Sequence, residues 1–185
     1  MLHRTFIAIN LQNNIKDKIL DYRKDFLHIP AKWVEKENLH ITLNFLGNLD
    51  DTQLMETIGI IEGVVENYES FVLNIEQMGF DNKKPPRLIW LTLKKNQILN
   101  NLYQELEDNI YNLDSYQFKT REQRNFNAHI TLARIKGFEA KRLQEQDFDI
   151  KKTLNLSFEV NSIEIMESEL KKTGPEYTIL RSFEL

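Results

Sequence analysis

One tetrapeptide occurs twice in this chain. His40-Ile41-Thr42-Leu43 returns unchanged as His129-Ile130-Thr131-Leu132, at an offset of 89 residues (129 − 40) in a chain of 185. Chance alone repeats some four-letter word in a chain of this length roughly one time in ten, so the context of the two copies decides. Both sit in short runs of branched and aromatic residues, Leu39–Leu46 and Ala128–Ile135, that predict strands. Both runs meet a glycine seven or eight residues after the histidine (Gly47, Gly137), and the repeat uses two of only four histidines. Strand period two then turns each His and Thr to one face while Ile and Leu anchor the other. The spacing predicts two interleaved, pseudo-symmetric lobes within a single catalytic domain spanning 1–185, each lobe supplying one copy (40–43 and 129–132).

The remaining pattern fits that frame. Thr5–Asn10 reads as a strand buried on both faces, and Asn14 opens a helix through Ile15, Ile19, Tyr22 and Phe26 that His28-Ile29-Pro30 stops. Asp50 or Asp51 caps a helix carrying Leu54, Ile58, Ile61 and Val65. Phe71, Leu73 and Ile75 mark a strand ending at Gly79, followed by a Lys83-Lys84-Pro85-Pro86 loop and a strand over Arg87–Leu93. A helix over Ile98, Leu102, Leu106 and Ile110 follows. Later strands are expected at Leu154–Val160, Ser162–Glu167 and Tyr177–Phe183, with Gly174-Pro175 turning the chain between the last two. The class is α+β with mostly antiparallel neighbours. Neither a Gly-x-Gly-x-x-Gly nor a Walker loop is present, which disfavours dinucleotide and P-loop chemistry. The best candidate seams lie between Asp81 and Pro86 and around Lys94-Lys95-Asn96.

Composition removes several chemistries. The chain has no cysteine, which rules out disulfides, thiolate metal sites and thiol nucleophiles. A net charge of −4 argues against coating long nucleic acid, where affinity comes from phosphate neutralisation, but leaves room for a local basic pocket. No apolar run is long enough for a signal-peptide core or a membrane span, so a cytoplasmic location and no membrane association are expected. A monomer is the expected oligomeric state.

Two imidazoles and two hydroxyls around one site suit a phosphodiester. One imidazole takes a proton from attacking water, the other donates to the leaving oxygen, and the threonine hydroxyls donate to the non-bridging oxygens. Histidine fits because its ordinary pKa of about 6.5 lets both protonation states exist near neutrality. A zinc site at His40 and His129 is disfavoured: no carboxylate stands at a matching offset in either motif, and three protein ligands are normally needed. No cofactor is expected. Strict alternation puts Arg134 on the face opposite His129 and Thr131, so a phosphate contact there requires a bulge or a strand end. The segment Lys119–Lys136 carries a local +4 that includes Arg124, and Asn82–Lys95 holds five basic residues, Arg87 among them, with no acid. Both segments are candidate RNA contacts. Phe45 and Trp90 are candidates for stacking a terminal base, although aromatics in apolar strands more often belong to a core.

At these residues the chain resembles the 2H phosphoesterases, defined by two His-x-Thr-x motifs, and within them the RNA 2′,3′-cyclic 3′-phosphodiesterase branch, historically called 2′-5′ RNA ligase. The likeness runs from Arg4–Asn10 through Asn38–Gly47, Gly79-Phe80 and Arg87–Leu91 to Phe126–Arg134. Where this family usually has proline before the second histidine, the chain has Ala128, a change to strand entry more than to chemistry. The resemblance implies a bilobal fold with two antiparallel sheets lining a central cleft and helices outside. It implies metal-independent hydrolysis of 2′,3′-cyclic phosphate at RNA 3′ ends to a 2′-phosphate, with His40 as proton donor and His129 as proton acceptor. Thr42 and Thr131 would hold the phosphate, and Arg134 is frequent in the family at its position. The same pair would join a 5′-hydroxyl to the cyclic phosphate through a 2′-5′ linkage. Alternatives are cleavage of 2′-5′-linked oligonucleotides, hydrolysis of a small cyclic nucleotide phosphate, or a non-catalytic RNA-binding module.

Overall fold

The computed structural model describes residues 1–112, 126–145, 150–172 and 174–185. Nine strands are described: β1 (His3–Asn10), β2 (Ala31–Trp33), β3 (His40–Leu49), β4 (Phe71–Phe80), β5 (Leu88–Leu93), β6 (His129–Ile135), β7 (Lys152–Val160), β8 (Ser162–Lys171) and β9 (Gly174–Glu184). Four helices join them: α1 (Asn13–Arg23), α2 (Asp51–Val65), α3 (Gln97–Tyr111) and α4 (Gly137–Glu145). No helix among the described residues is long and apolar enough to cross a membrane.

The strands form one sheet in the order β7-β4-β5-β6-β3-β1-β8-β9, with β2 added beside β6. Every strand pair is antiparallel. Outward from the centre, β3-β1-β8-β9 on one side matches β6-β5-β4-β7 on the other. The halves meet through a single residue pair, Ile41 opposite Ile130. These are the same position of the two repeats, so the chain's pseudo-twofold axis passes between them. The two expected sheets are thus two four-stranded halves that touch at one point and then diverge. β2 fills the opening on one side, where Ala31, Lys32 and Trp33 pair with Ile135, Arg134 and Ala133.

One half is inserted into the other: β4 to β7 follow one another along the chain, whereas the half containing β1 and β3 is completed by the C-terminal β8 and β9. β1 is buried on both faces from Thr5 to Ile9, as its unbroken apolar run predicts. The helices lie on the sheet face that carries Ile41, Leu43, Ile130 and Leu132, all of them buried. The amide of Asn44, on that same face, donates to Glu107 of α3. Buried Leu99, Leu102, Leu106 and Ile110 give α3 its apolar stripe. Asp50, not Asp51, caps α2: its carboxylate accepts from the Gln53 amide at 2.9 Å, and the Gln53 side chain accepts from the Asp50 amide at 3.0 Å.

Two local expectations change. β3 runs on to Leu49, because Gly47 takes φ +82° inside the strand, where the pairing with β1 slips by one residue. Gly174 lies in β9 at φ +145°, so the turn falls just before it. The short β2 and the helix α4 were not foreseen.

Candidate active site

Both motif histidines emerge on the face away from the helices. Along β3 and β6 the first seven residues alternate in burial identically: His40 and His129 partly exposed, Ile41 and Ile130 buried, Thr42 and Thr131 partly exposed, Leu43 and Leu132 buried. Continuing the register from Ile41–Ile130 would set each histidine across from the other motif's threonine. Four polar side chains are therefore gathered about the pseudo-twofold axis.

Alternation breaks in both strands at the same place. Opposite β1, Thr42 pairs with Ala8 and Asn44 with Ile7, leaving Leu43 unpaired. Opposite β5, Thr131 pairs with Trp90 and Ala133 with Ile89, leaving Leu132 unpaired. Each is a β-bulge that shifts the following residues by one face. Asn44 and Ala133 are turned inward and buried, while Phe45 and Arg134 come out on the histidine face. The bulge that Arg134 required is present. Because β3 and β6 run antiparallel, Arg134 is carried toward the His40 end of the face and Phe45 toward the His129 end. Phe45 is 71% exposed there.

The two imidazoles share one restraint. Nδ1–H of His40 donates to the Asn38 carbonyl at 2.7 Å, and that of His129 to the Asn127 carbonyl at 2.8 Å. A carbonyl only accepts, so Nδ1 carries a proton in both rings, which leaves Nε2 as the atom that can exchange one. Nε2 of His40 lies 3.0 Å from Thr42 Oγ1. Their surroundings differ. His40 is packed by Phe6 at 5.1 Å and edge-on by Tyr177 at 5.3 Å, whereas His129 rests against Trp90 at 4.8 Å. Phe6, Ala8, Met166 and Tyr177 form a small apolar cluster on this face beside His40. Burial pushes the His40 imidazole down to about 4, and the positive charges of Lys16, His129 and Arg134 act in the same direction, against the Asn38 carbonyl.

Sequence reading missed the polar group behind His40. Lys16 of α1, only 4% exposed, donates to Asn10 Oδ1 at 2.8 Å and to the Glu37 carbonyl at 3.0 Å. The Asn10 amide donates to buried Glu164 at 2.9 Å, and Ser162 Oγ donates to the same carboxyl at 2.6 Å. Asn10 is the register partner of His40. A polar residue continuing the Phe6–Ala8 face of an otherwise apolar strand was the one available signal.

The other candidates separate. Arg87 precedes Leu88 at the start of β5, so period two sets it with Ile89 and Leu91, off the histidine face; its amide is held by Asp81 at 2.8 Å. Arg124 lies outside the described residues. Among the described residues, no group of three or more His, Asp or Glu is placed to hold a metal ion.

The sequence model of the LigT-like phosphoesterases matches this chain over residues 9–90 and 94–177, one stretch containing each motif. The RNA 2′,3′-cyclic phosphodiesterase of Thermotoga maritima is 31% identical over 183 residues, covering 96% of this chain and 92% of that protein. The enzyme of the same name from Methanocaldococcus jannaschii is 29% identical over 97% of this chain and 99% of its own length. Among solved structures, TT0787 of Thermus thermophilus superposes with a TM-score of 0.84 at 23% identity, covering 98% of this chain and 97% of that one. Escherichia coli LigT complexed with 3′-AMP superposes at 0.80 and 22%, covering 100% and 99%.

Proposed function

Since the chain belongs to the LigT-like phosphoesterase family, we propose that it hydrolyses 2′,3′-cyclic phosphate at RNA 3′ ends to a 2′-phosphate through His40 and His129, as one catalytic unit built from two lobes of a single chain. The observation that carries this reading is the paired geometry: two imidazoles, each with Nδ1 tied to a carbonyl two residues back and Nε2 left for a ligand, that of His40 beside Thr42 Oγ1. A cyclic phosphate seated between them meets Thr42 and Thr131 at its non-bridging oxygens. Nε2 of His129 takes a proton from water as the water oxygen bonds to phosphorus. Nε2–H of His40 gives its proton to O3′ as the P–O3′ bond breaks, leaving a 2′-phosphate and a 3′-hydroxyl. With a 5′-hydroxyl in place of water, the same transfers yield a 2′-5′ linkage. Phe45 stacks the terminal base, and Arg134 adds positive charge at the His40 end.

The depressed His40 pKa sets a condition on its role. At neutral pH the free imidazole is unprotonated, so it can act as donor only if the substrate brings the proton with it. Burial first, and the charges of Lys16, His129 and Arg134 after it, hold His40 neutral; a phosphodiester anion entering beside the ring supplies an adjacent negative charge that opposes both and favours its protonated form.

The test is a short RNA ending in a 2′,3′-cyclic phosphate, incubated with the protein in EDTA, with the product identified by chromatography against 2′- and 3′-phosphate standards. The 2′-phosphate is expected. Persistence of the cyclic end, or a 3′-phosphate product, contradicts the proposal.

A further inference from the structure

The pseudo-twofold axis that relates the two motifs also relates their neighbours, and behind the histidines the neighbours differ in charge. β1 flanks β3 as β5 flanks β6, so Asn10 opposite His40 corresponds to Thr92 opposite His129. A helix follows each of these strands, α1 after β1 and α3 after β5. α3 contains no lysine or arginine. α1 sends Lys16 inward, the one lysine or arginine that is buried among the described residues. Its ammonium donates to Asn10 Oδ1 at 2.8 Å and to the Glu37 carbonyl at 3.0 Å. Among the described residues no carboxylate pairs with it directly; Glu164 connects to it only through Asn10, whose backbone amide donates to that carboxyl. A cation enclosed without a direct counter-ion is costly, and its field falls little damped on its neighbours. Both of its acceptors lead to His40. Asn10 is the register partner of that histidine, and Glu37 precedes Asn38, whose carbonyl holds His40 Nδ1. Asp17, next to Lys16 on α1, pairs with Lys36 of the same 3-10 turn, Lys36–Asn38. On the other side of the axis, the Thr92 hydroxyl makes a neutral contact, donating to the Gln77 carbonyl at 3.4 Å.

We propose that Lys16 is the positioning residue that makes the two motif histidines unequal: it fixes the His40 ring through Asn10 and the Glu37 carbonyl, and it sets behind that ring a positive charge with no counterpart behind His129 among the described residues. A proton then reaches His40 Nε2 only with the substrate phosphate, and the imidazolium so formed is a stronger acid toward O3′ than an ordinary one. The groups that face His40 are Lys16 from α1, His129 and Arg134 from β6, and the Phe6 and Tyr177 rings from β1 and β9; of the three positive groups, Lys16 acts on it most strongly. Lys16 is itself faced by Glu37, Lys36 and Glu164. Burial lowers its pKa, and the two carboxylates oppose that. This inference rests on the phosphodiesterase reading above and adds to it a residue that touches neither the substrate nor the reacting atoms.

The experiment follows two readouts in wild type, Lys16→Met and Lys16→Arg, each checked for its thermal midpoint. The first is the titration of His40 in the ligand-free protein, observed by NMR of the 15N-labelled imidazole. The second is the single-turnover rate at pH 7 on an RNA ending in a 2′,3′-cyclic phosphate, with protein in saturating excess. Lys16→Met is expected to raise the His40 midpoint by about half a pH unit or more and to slow turnover about fivefold or more. Lys16→Arg, which keeps the charge, is expected to restore most of both. Should the methionine variant not fold, Lys16→Gln takes its place, since it keeps an amide donor and removes the charge. An unmoved His40 midpoint in the neutral variant, whether or not turnover slows, overturns the proposal and leaves the phosphodiesterase reading intact, as does a Lys16→Arg protein no better than Lys16→Met. A wild-type His40 that titrates near the ordinary 6.5 overturns it without any variant. Failure of wild type to turn over the RNA, with the His40 titration as expected, overturns the phosphodiesterase reading and with it the part that Lys16 plays in the reaction.

Discussion

His40 and His129 share a motif, a strand position and an Nδ1 restraint, yet differ in what surrounds the ring. An aromatic pair and a buried lysine stand near His40; one tryptophan stands against His129. This asymmetry yields two predictions. An unfolded histidine titrates near 6.5 and folded His40 at about 4, so between these values the unfolded chain binds more protons. His40 therefore lowers stability as pH falls through that window, whereas His3, whose imidazole is raised by hydrogen bonds to Asp51 and Glu167, acts in the opposite sense. His40→Asn should flatten the acid-side loss by about 3 kcal/mol at pH 4, read as urea midpoints from pH 7 to 4. An unchanged slope would show that His40 is not held neutral. The second prediction concerns binding: titration calorimetry of a nucleoside 2′-phosphate at pH 7, in buffers of different ionisation enthalpy, should show uptake of close to one proton per site. Absence of uptake would contradict a His40 that gains its proton when the phosphate binds. At this scale the shared strand position of the two histidines was legible, because a His-x-Thr repeat is visible in any strand. The buried partners Lys16 and Glu164 were not, since nothing in a linear pattern marks a polar side chain that tertiary packing will enclose.

At the scale of elements, the deciding features are the matched bulges at Leu43 and Leu132. Period two alone sends Arg134 to the helix side, and only the extra residue returns it to the histidines. A bulge depends on the partner strand's register, which local sequence does not specify, so Arg134 was readable as a candidate but its place on the histidine face was not. The long helices and strands were legible because their periodicity is strong. β2 has three residues and α4 buries only Ala140 and Leu143, too little pattern to stand out. The single Ile41–Ile130 junction gives an element-scale prediction. Both side chains are fully buried, so Ile41→Ala and Ile130→Ala should each cost about 2–5 kcal/mol in chemical denaturation. As direct partners, they should couple by at least about 0.5 kcal/mol in the double variant. Strict additivity would mean that the halves do not meet there as described.

For the whole molecule, the mirrored strand order turns a sequence repeat into one site. Each half alone presents one imidazole; the axis at Ile41–Ile130 brings two together, and β8 and β9 complete the first half from the far end of the chain. The 89-residue offset corresponds to the matching places of β3 and β6 in the strand order. That the halves join edge to edge through one residue pair was not legible, because sheet closure is set by pairings between distant segments. If the two histidines work as a unit across the axis, their losses should not multiply. The decisive measurement is the single-turnover rate on a cyclic-phosphate RNA for His40→Ala, His129→Ala and the double variant. Each single change should cost on the order of 100-fold or more, and the double variant should be about as slow as the slower single. Wild-type rates in either single variant, or losses that multiply in the double, would contradict a shared acid-base pair.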